Sequence, residues 1–509
     1  MQLVWFKRDL RLHDHAPLSA AARRGPVLPL YIVEPSLINA PDFAPRHWTL
    51  ISGCLHELRA ALNRLGQPLV VRVGEAVEVL DRLASEWPIE AIWAHEETGN
   101  LLSYARDRAV RRWARARGIP FHELPQNGVV RRLPLRDEWQ ARWEERMAMP
   151  QAQPPATLPP LPIDPGPIPS VSELELPPDI LLERQPPGET AALATLTDFL
   201  YRRSRHYHRA LSIPLTAWEG CSRLSAYLAW GALSLRTVVQ ATRARIAELG
   251  QQPDLTEAGW LRVLAAFESR LHWHCHFIQK LEDEPEIEVC NLVRAYDGMR
   301  EENHRPDLIA AWAAGRTGYP FVDACMRALI ATGWLNFRMR AMLVSFVACD
   351  LWQHWREPGL ILARRWIDYE PGIHYCQLQM QAGTSGNRTI RIYNPIKQGI
   401  DHDPKGIFIR RWVLELTHVP TAYIHTPWLL DCAGQERSGC RIGRDYPLPI
   451  VDHDAAYRRA RAAIAAVRAR PETAIEVAAV HQKHGSRRAP PPQPHRTERG
   501  SARQLRLDL

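Results

Sequence analysis

The chain has 509 residues, with 64 Lys+Arg against 56 Asp+Glu and a formal charge of +8. At 46% hydrophobic and 24% charged residues it is not a disordered, collagen-like or disulfide-scaffold protein. Its length implies more than one domain, because single cores rarely grow past roughly 250–300 residues. The basicity alone does not point to nucleic acid: residues 481–509 hold seven Lys/Arg against two acids, so the tail carries +5 of the +8.

Nine cysteines are scattered without a C-x-x-C pair, which fits a reducing compartment and a cytoplasmic protein. The opening MQLVWFKRDLRL turns charged too early for a signal peptide. The best apolar run, Ala341 to Cys349, stops at Asp350, well short of the ~20 residues that span a bilayer. No membrane partner is expected, and the chain is expected to act as a monomer.

In chain order, residues 2–6, 26–33, 68–73 and 90–94 (QLVWF, PVLPLYIV, PLVVRV, EAIWA) are short β-rich runs, and 47–65, 76–87 and 103–118 are helix-like. This alternation predicts a doubly wound α/β domain on a parallel sheet over residues 1–125. The place after the first strand holds KRDLRLHDH rather than G-x-G-x-x-G, so the usual dinucleotide fingerprint is absent. Residues 126–189 read as an interdomain linker. Thirteen prolines between Pro150 and Pro187 forbid helix and withhold sheet donors, which predicts an extended strap over the surface. From about Thr190 to 475, segments such as WLRVLAAFESRLHWHCHFIQKL and FVDACMRALIATGWLNFRMRAMLVSFVACDLWQHW carry helical periodicity, predicting a large all-helical domain. Residues 476–509, with APPPQPH and isolated arginines, read as a basic disordered tail. Ten of the eighteen tryptophans lie between Trp218 and Trp412; they suit core packing, and also a site for a flat aromatic ligand or for electron transfer.

Four separated stretches, LVWFKRDLRLHDHAPL, GCSRLSAYLAWGALSLR, AAWAAGRTGYPFVDACMRALIATGWL and RIYNPIKQGIDHDPKGIFIRRWVLEL, resemble the photolyase/cryptochrome family in the same order. The resemblance covers roughly residues 1–475. It implies an N-terminal α/β antenna domain and a helical domain holding FAD folded on itself. In the family's repair enzymes, light excites reduced flavin, which lends an electron to a pyrimidine dimer in ultraviolet-damaged DNA. The protein's part is then to position and tune the cofactor.

By this resemblance Tyr207 and the run Cys221, Ser222, Arg223, Leu224 and Ser225 belong to the flavin phosphate-binding stretch. Small hydroxyls before a helix also read as an anion site or, more plainly, as an N-cap. Arg340 and Asp368 correspond to an internal ion pair by the isoalloxazine, with Tyr369 and Glu370 beside it, Glu370 replacing the usual Asp. His374 falls where the family faces the flavin N5, commonly with Asn. There a histidine would hydrogen-bond N5 or exchange a proton with it, since its charge changes near neutral pH. Trp273 fits the tryptophan that stacks on the flipped lesion; its usual aromatic partner is here Met380, a thioether able to pack on bases. Trp355 survives from the family's photoreduction chain, whereas the flavin-proximal tryptophan is Leu378. Electrons are therefore expected to travel by another route, with Tyr375 and Trp352 as candidates. Phe337 stands where bacterial repair enzymes carry Asn.

Arg391 and Gln398 are available for DNA. Glu96 and Glu97 are expected to line a second chromophore pocket, for a reduced folate or a deazaflavin, near Arg8, Asp9 and Arg11. The HWHCH cluster offers His272 and His276 on one helical face, but no second ligand group with zinc-like spacing lies nearby, so no metal is expected. The resemblance thus implies a deoxyribodipyrimidine photolyase acting on pyrimidine dimers. The rival is a cryptochrome-like blue-light receptor without repair, favoured by the lost pocket tryptophan and the basic tail. A third reading is repair restricted to single strands.

Overall fold

The computed structural model describes residues 1–251, 255–386 and 390–486. Five strands, β1 (Gln2–Phe6), β2 (Val27–Val33), β3 (Val70–Val73), β4 (Ala91–His95) and β5 (Phe121–Leu124), form one parallel sheet in the order β3-β2-β1-β4-β5. The central strand is buried throughout, as a parallel sheet covered on both faces requires. Its side chains alternate between two cores. Leu3 and Trp5 pack with α3 (Ala76–Glu86) and α4 (Leu101–Ala116), while Val4 and Phe6 pack with α1 (Ala16–Ala22) and α2 (Pro45–Leu65). That second core runs on without a break into Phe199, Trp230 and Leu271 of the helical region.

The strand order reverses between β1 and β4, and in open α/β sheets such a point opens a crevice at the carboxyl ends of the strands. Lys7, Arg8 and Asp9 leave β1 there, and Glu96 and Glu97 leave β4. The fifth strand, FHEL, was not among the four expected runs; it is a half-buried edge with little β-branched character.

The stretch expected as linker divides in two. Residues 136–148 fold, with α5 (Trp139–Ala148) burying Trp139, Trp143 and Met147 beneath His272. From Pro150 to Pro187 no helix or strand forms, and the strap is pinned by scattered hydrogen bonds to both halves. Leu158 N donates to Leu65 O (2.6 Å) and Val71 N to Pro165 O (2.8 Å); Trp48 Nε1 donates to Pro169 O (2.9 Å) and Leu182 N to Ala331 O (2.8 Å).

The helical region runs from α6 (Glu189–Tyr201) onward. Three elements frame its centre: α9 (Leu255–Asp283), α11 (Phe337–Ser345) and α13 (Pro371–Ala382). Between them lie α10 (Pro320–Thr332) and α12 (Arg356–Arg365), while α7 (Ser225–Ala229) and α8 (Leu235–Gly250) precede α9. Gly372 lets α13 approach α9 closely, since a Cβ there would stand 2.6 Å from Ile278 Cα.

At the seam between sheet and helices, buried Arg46 of α2 pairs both ways with Asp179 (2.7 and 2.8 Å). It also donates to Ile330 O (3.1 Å) and Arg365 O (2.8 Å), carbonyls freed at the ends of α10 and α12. Residues 476–484, expected in the tail, instead continue the last helix (Pro471–His484), where Lys483 and His484 both reach Glu284; residues 487–509 lie outside the described residues. Among the described residues no helix is long and apolar enough to cross a membrane, and all nine cysteines are free.

Candidate active site

The helical region encloses a cavity of about 370 Å³, within the range of cofactor and ligand pockets. Two helices supply one face each at helical spacing: Arg270, Trp273, His274 and Phe277 from α9, and Ile373, His374, Gln377, Leu378 and Gln381 from α13. Tyr207, Cys221, Ser222, Arg223 and Ser225 close one end. Arg340, Asp368, Tyr369 and Glu370 also reach the wall. Five arginines (223, 270, 338, 340 and 391) against two carboxylates make the cavity positive, apt for phosphate groups.

Arg223 is the strongest anion candidate. Its backbone is left-handed, φ 59°, uncommon outside glycine. Its guanidinium packs into the corner formed by Trp218 and Trp334, 3.7 and 4.0 Å from their ring centroids, the two indoles meeting edge to face at 5.7 Å. Burial lowers its pKa to about 10, and its Nη1 has no hydrogen-bond partner. A buried, unpaired donor packed against two indoles is built to receive an acceptor from outside the chain. The one-turn α7 has no side-chain cap, so the anion site expected at its start rests on this guanidinium instead. Leu224 turns into the core and lines no part of the cavity.

Asp368 accepts both Arg340 guanidinium nitrogens (2.9 and 2.7 Å), and Arg340 stacks over Trp366 at 4.1 Å. Burial pushes the Asp368 carboxyl up, but the Arg340 charge and its hydrogen bonds, with help from Ser225 and Arg223, outweigh that and hold it below the ordinary range. It is a carboxylate at neutral pH. Glu370 meets Arg8 at 3.4 Å and leaves Oε1 unpartnered; burial raises its pKa.

His374 is buried, its Nε2 2.9 Å from Gly359 O. A carbonyl only accepts, so Nε2 carries the proton and Nδ1 is left as an acceptor. Burial lowers its pKa to about 4. The expected change of charge near neutral pH is therefore moved well into acid, and the ring is neutral under ordinary conditions.

Trp273 is half-buried on the wall, tilted against Phe277 at 5.8 Å. Met380 packs instead on the helical core, outside the cavity wall, and Gln377 and Gln381 take that side of α13. Exposed Arg391 reaches the wall; Gln398, on the helix Pro395–His402, does not. Leu378 fills the wall where the resemblance places an indole. Trp355 and the α13 residue Tyr375 are buried off the cavity wall, their rings 6.4 Å apart. Trp352 stands apart, with the Arg300 and Arg459 guanidiniums 4.5 and 5.7 Å from its ring. Sequence reading missed Trp218 and Trp334, the clamp on Arg223, and also Arg270 and His274. The clamp could have been suspected only from the density of indoles, because 218 and 334 meet through the fold.

A second, smaller cavity of about 100 Å³ opens at the strand switch point. Glu97 lines it and Glu96 does not. Arg106 fills its floor, bonded to Glu34 (2.5 Å), Glu97 (2.6 Å) and Asp107 (2.8 Å), with Lys7 on Asp107 (3.0 Å). Arg8 and Arg11 tie β1 to the helical region, donating to Ala229 O and Gly231 O (2.8 and 2.9 Å). Asp9 accepts from His15 Nε2 (2.9 Å) and His95 Nδ1 (2.7 Å). This is the one trio with metal-like spacing among the described residues, yet the ring nitrogens facing Asp9 are spent on it and His15 Nδ1 accepts Leu18 N (3.1 Å).

Residues 2–135 match DNA photolyase and 267–466 match the FAD binding domain of DNA photolyase. The deoxyribodipyrimidine photo-lyase of Escherichia coli is 32% identical over 503 residues, covering 92% of this chain and 98% of that one. The chain belongs to the photolyase/cryptochrome family. Another member, a cryptochrome DASH of Gloeobacter violaceus, is also 32% identical, over 476 residues, covering 88% of this chain and 93% of its own. A class III photolyase from Agrobacterium tumefaciens superposes with a TM-score of 0.78 at 29% identity, over 92% of this chain and 97% of that one. The FAD-binding domain of the family is thus present. The residues fit the cofactor: Arg223 offers an unmet donor to a pyrophosphate, Asp368 an acceptor and Arg340 a cation to the flavin ring, and Trp273 and Phe277 aromatic walls.

Proposed function

We propose that this protein is a flavin-dependent deoxyribodipyrimidine photolyase that splits pyrimidine dimers in DNA under blue light. The observation that carries the reading is one cavity joining an FAD-type donor set to an aromatic and basic wall, with Trp273 and Arg391 lining the same space as Arg223, Arg340 and Asp368. Bound and reduced, FAD supplies the electron that light sends into the dimer. The chain supplies the rest. Arg223 and Ser222 hold phosphate, and the Arg340–Asp368 pair orients the ring. Neutral His374 presents an acceptor without adding charge. Trp273 offers a stacking surface to an extruded base pair that is already weakly stacked, and Arg391 meets DNA phosphate, fixing position rather than sequence. The reading takes the chain to act as a monomer in the cytoplasm, with any second pigment, folate or deazaflavin, at the Glu97 cavity.

Met380, half-buried against the helical core and off the cavity wall where the resemblance expects a second lesion-stacking group, favours a second reading: light sensing without repair. One experiment decides. Chemically reduced, FAD-loaded protein is illuminated with ultraviolet-damaged oligonucleotides, single- and double-stranded. Dimer loss in light and none in darkness supports repair, and its restriction to single strands narrows the substrate. Bound flavin without dimer loss leaves the sensor.

A further inference from the structure

The wall behind the flavin cavity holds two buried phenols in contact with a buried base. Tyr369 lines both the large cavity and the smaller one at the strand switch point. Its hydroxyl donates to Asp42 Oδ2 at 2.6 Å, and the Tyr375 hydroxyl oxygen stands 3.2 Å from it. Asp42 is 4% exposed; the same oxygen also accepts from Asn100 Nδ2 (2.9 Å). With the one Tyr369 proton committed to the carboxylate, the Tyr375 O–H is left to donate toward Tyr369. The rings then continue outward. Tyr369 to Tyr375 is 6.5 Å between centroids, Tyr375 to Trp355 is 6.4 Å, and Trp355 to His354 is 5.1 Å. The His354 side chain is 27% exposed, so the series of rings reaches water.

We propose that Tyr369, with Asp42 as its proton acceptor, is the first electron donor to photoexcited oxidised flavin, and that Tyr375 and Trp355 relay electrons to it from the surface. The proposal rests on the flavin reading above and adds to it a route by which the cofactor is reduced. A phenol gives up an electron readily only when its proton leaves as well. Inside a protein that demands a base already within hydrogen-bond reach, and the 2.6 Å contact meets that geometric requirement. Each step balances. One electron passes from Tyr369 to the photoexcited oxidised flavin while its O–H proton moves to Asp42, leaving a neutral phenoxyl and a neutral carboxylic acid. The Tyr375 O–H hydrogen atom then crosses the 3.2 Å contact to the Tyr369 phenoxyl; an electron from Trp355 and the Asp42 proton, handed on through the Tyr369 hydroxyl, restore Tyr375, while an external thiol refills Trp355 and releases its own proton to water. No net charge is stranded on the relay residues. Trp352 is excluded from this route because a positive hole on its ring would face the two guanidiniums beside it.

The test is flash spectroscopy of the full-length, FAD-loaded, oxidised protein in H2O and D2O. The wild type should show the sharp violet absorption of a phenoxyl, rising more slowly in D2O. Asp42→Asn keeps the size and a hydrogen bond but removes the base, and should slow the rise about a hundredfold and abolish the solvent isotope effect. Tyr369→Phe should remove the phenoxyl signal. A phenoxyl that forms at the wild-type rate in Asp42→Asn, or that persists in Tyr369→Phe, overturns the proposal. Dimer repair by dithionite-reduced wild type, measured in parallel, needs no photoreduction. Repair without a phenoxyl refutes only this route, and failure of that repair refutes the repair reading.

Discussion

Replacing His374 with asparagine tests how the cavity treats charge. The ring sits against Gly359 O with no carboxylate in contact, and burial takes its pKa from 6.5 to about 4. At about 1.4 kcal/mol per pH unit, that gap is worth about 3 kcal/mol. As pH falls through 6.5 the unfolded chain takes up the proton, while the folded chain refuses it until about 4, so folded-state stability drains away across that window and levels off below it. Asparagine has no proton to gain. Denaturant unfolding of wild type and His374→Asn from pH 7.5 to 4 should therefore give a difference curve that climbs in the variant's favour by about 3 kcal/mol toward pH 4. His47 and His274, also held to about 4 by burial, contribute equally to both proteins and cancel. A flat difference curve would falsify the neutral-histidine reading and restore a ring that charges near neutral pH.

Three further outcomes follow from the same geometry. Asp368→Asn leaves the Arg340 guanidinium without its counterion and should cost about 3 kcal/mol of stability together with bound flavin, measured by thermal melting and visible absorbance. Arg223→Ala should weaken flavin by about 2 kcal/mol, some thirtyfold in affinity; Arg223→Lys should not recover it, because an ammonium cannot stack against Trp218 and Trp334, and titration of apoprotein with FAD reads both. Gly372→Ala drives a methyl into Ile278 and should lower stability by about 1–3 kcal/mol, seen as an earlier unfolding midpoint.

How much of this could be read beforehand varies by element. The first four strands are largely apolar runs, with Arg72 of the β3 edge the only Lys, Arg, Asp or Glu among them, and the sequence declares them. FHEL does not, since its two central residues, His122 and Glu123, are polar and the strand is a half-buried edge. Trp139, Trp143 and Met147 recur at helical spacing inside the stretch read as linker; the proline run that begins at Pro150 drew the boundary too early. The cavity residues came from the family resemblance, and most of them do reach one wall. Met380 and Leu224 do not, because a motif gives residue order and leaves open which way a side chain turns on its helix. The Tyr369–Asp42 contact spans 327 positions, and no local pattern announces a meeting of that kind.

The Arg46 seam makes the strap from Pro150 to Pro187 a suture rather than a hinge. A guanidinium of the sheet half closes the open ends of two helices in the other half, and the strap's own Asp179 completes the knot. Nicking the backbone there should leave both fragments clasped together. Expressing either alone would bare a greasy face and strand a buried cation, so this photochemical machine should be inherited, folded and lost as one piece.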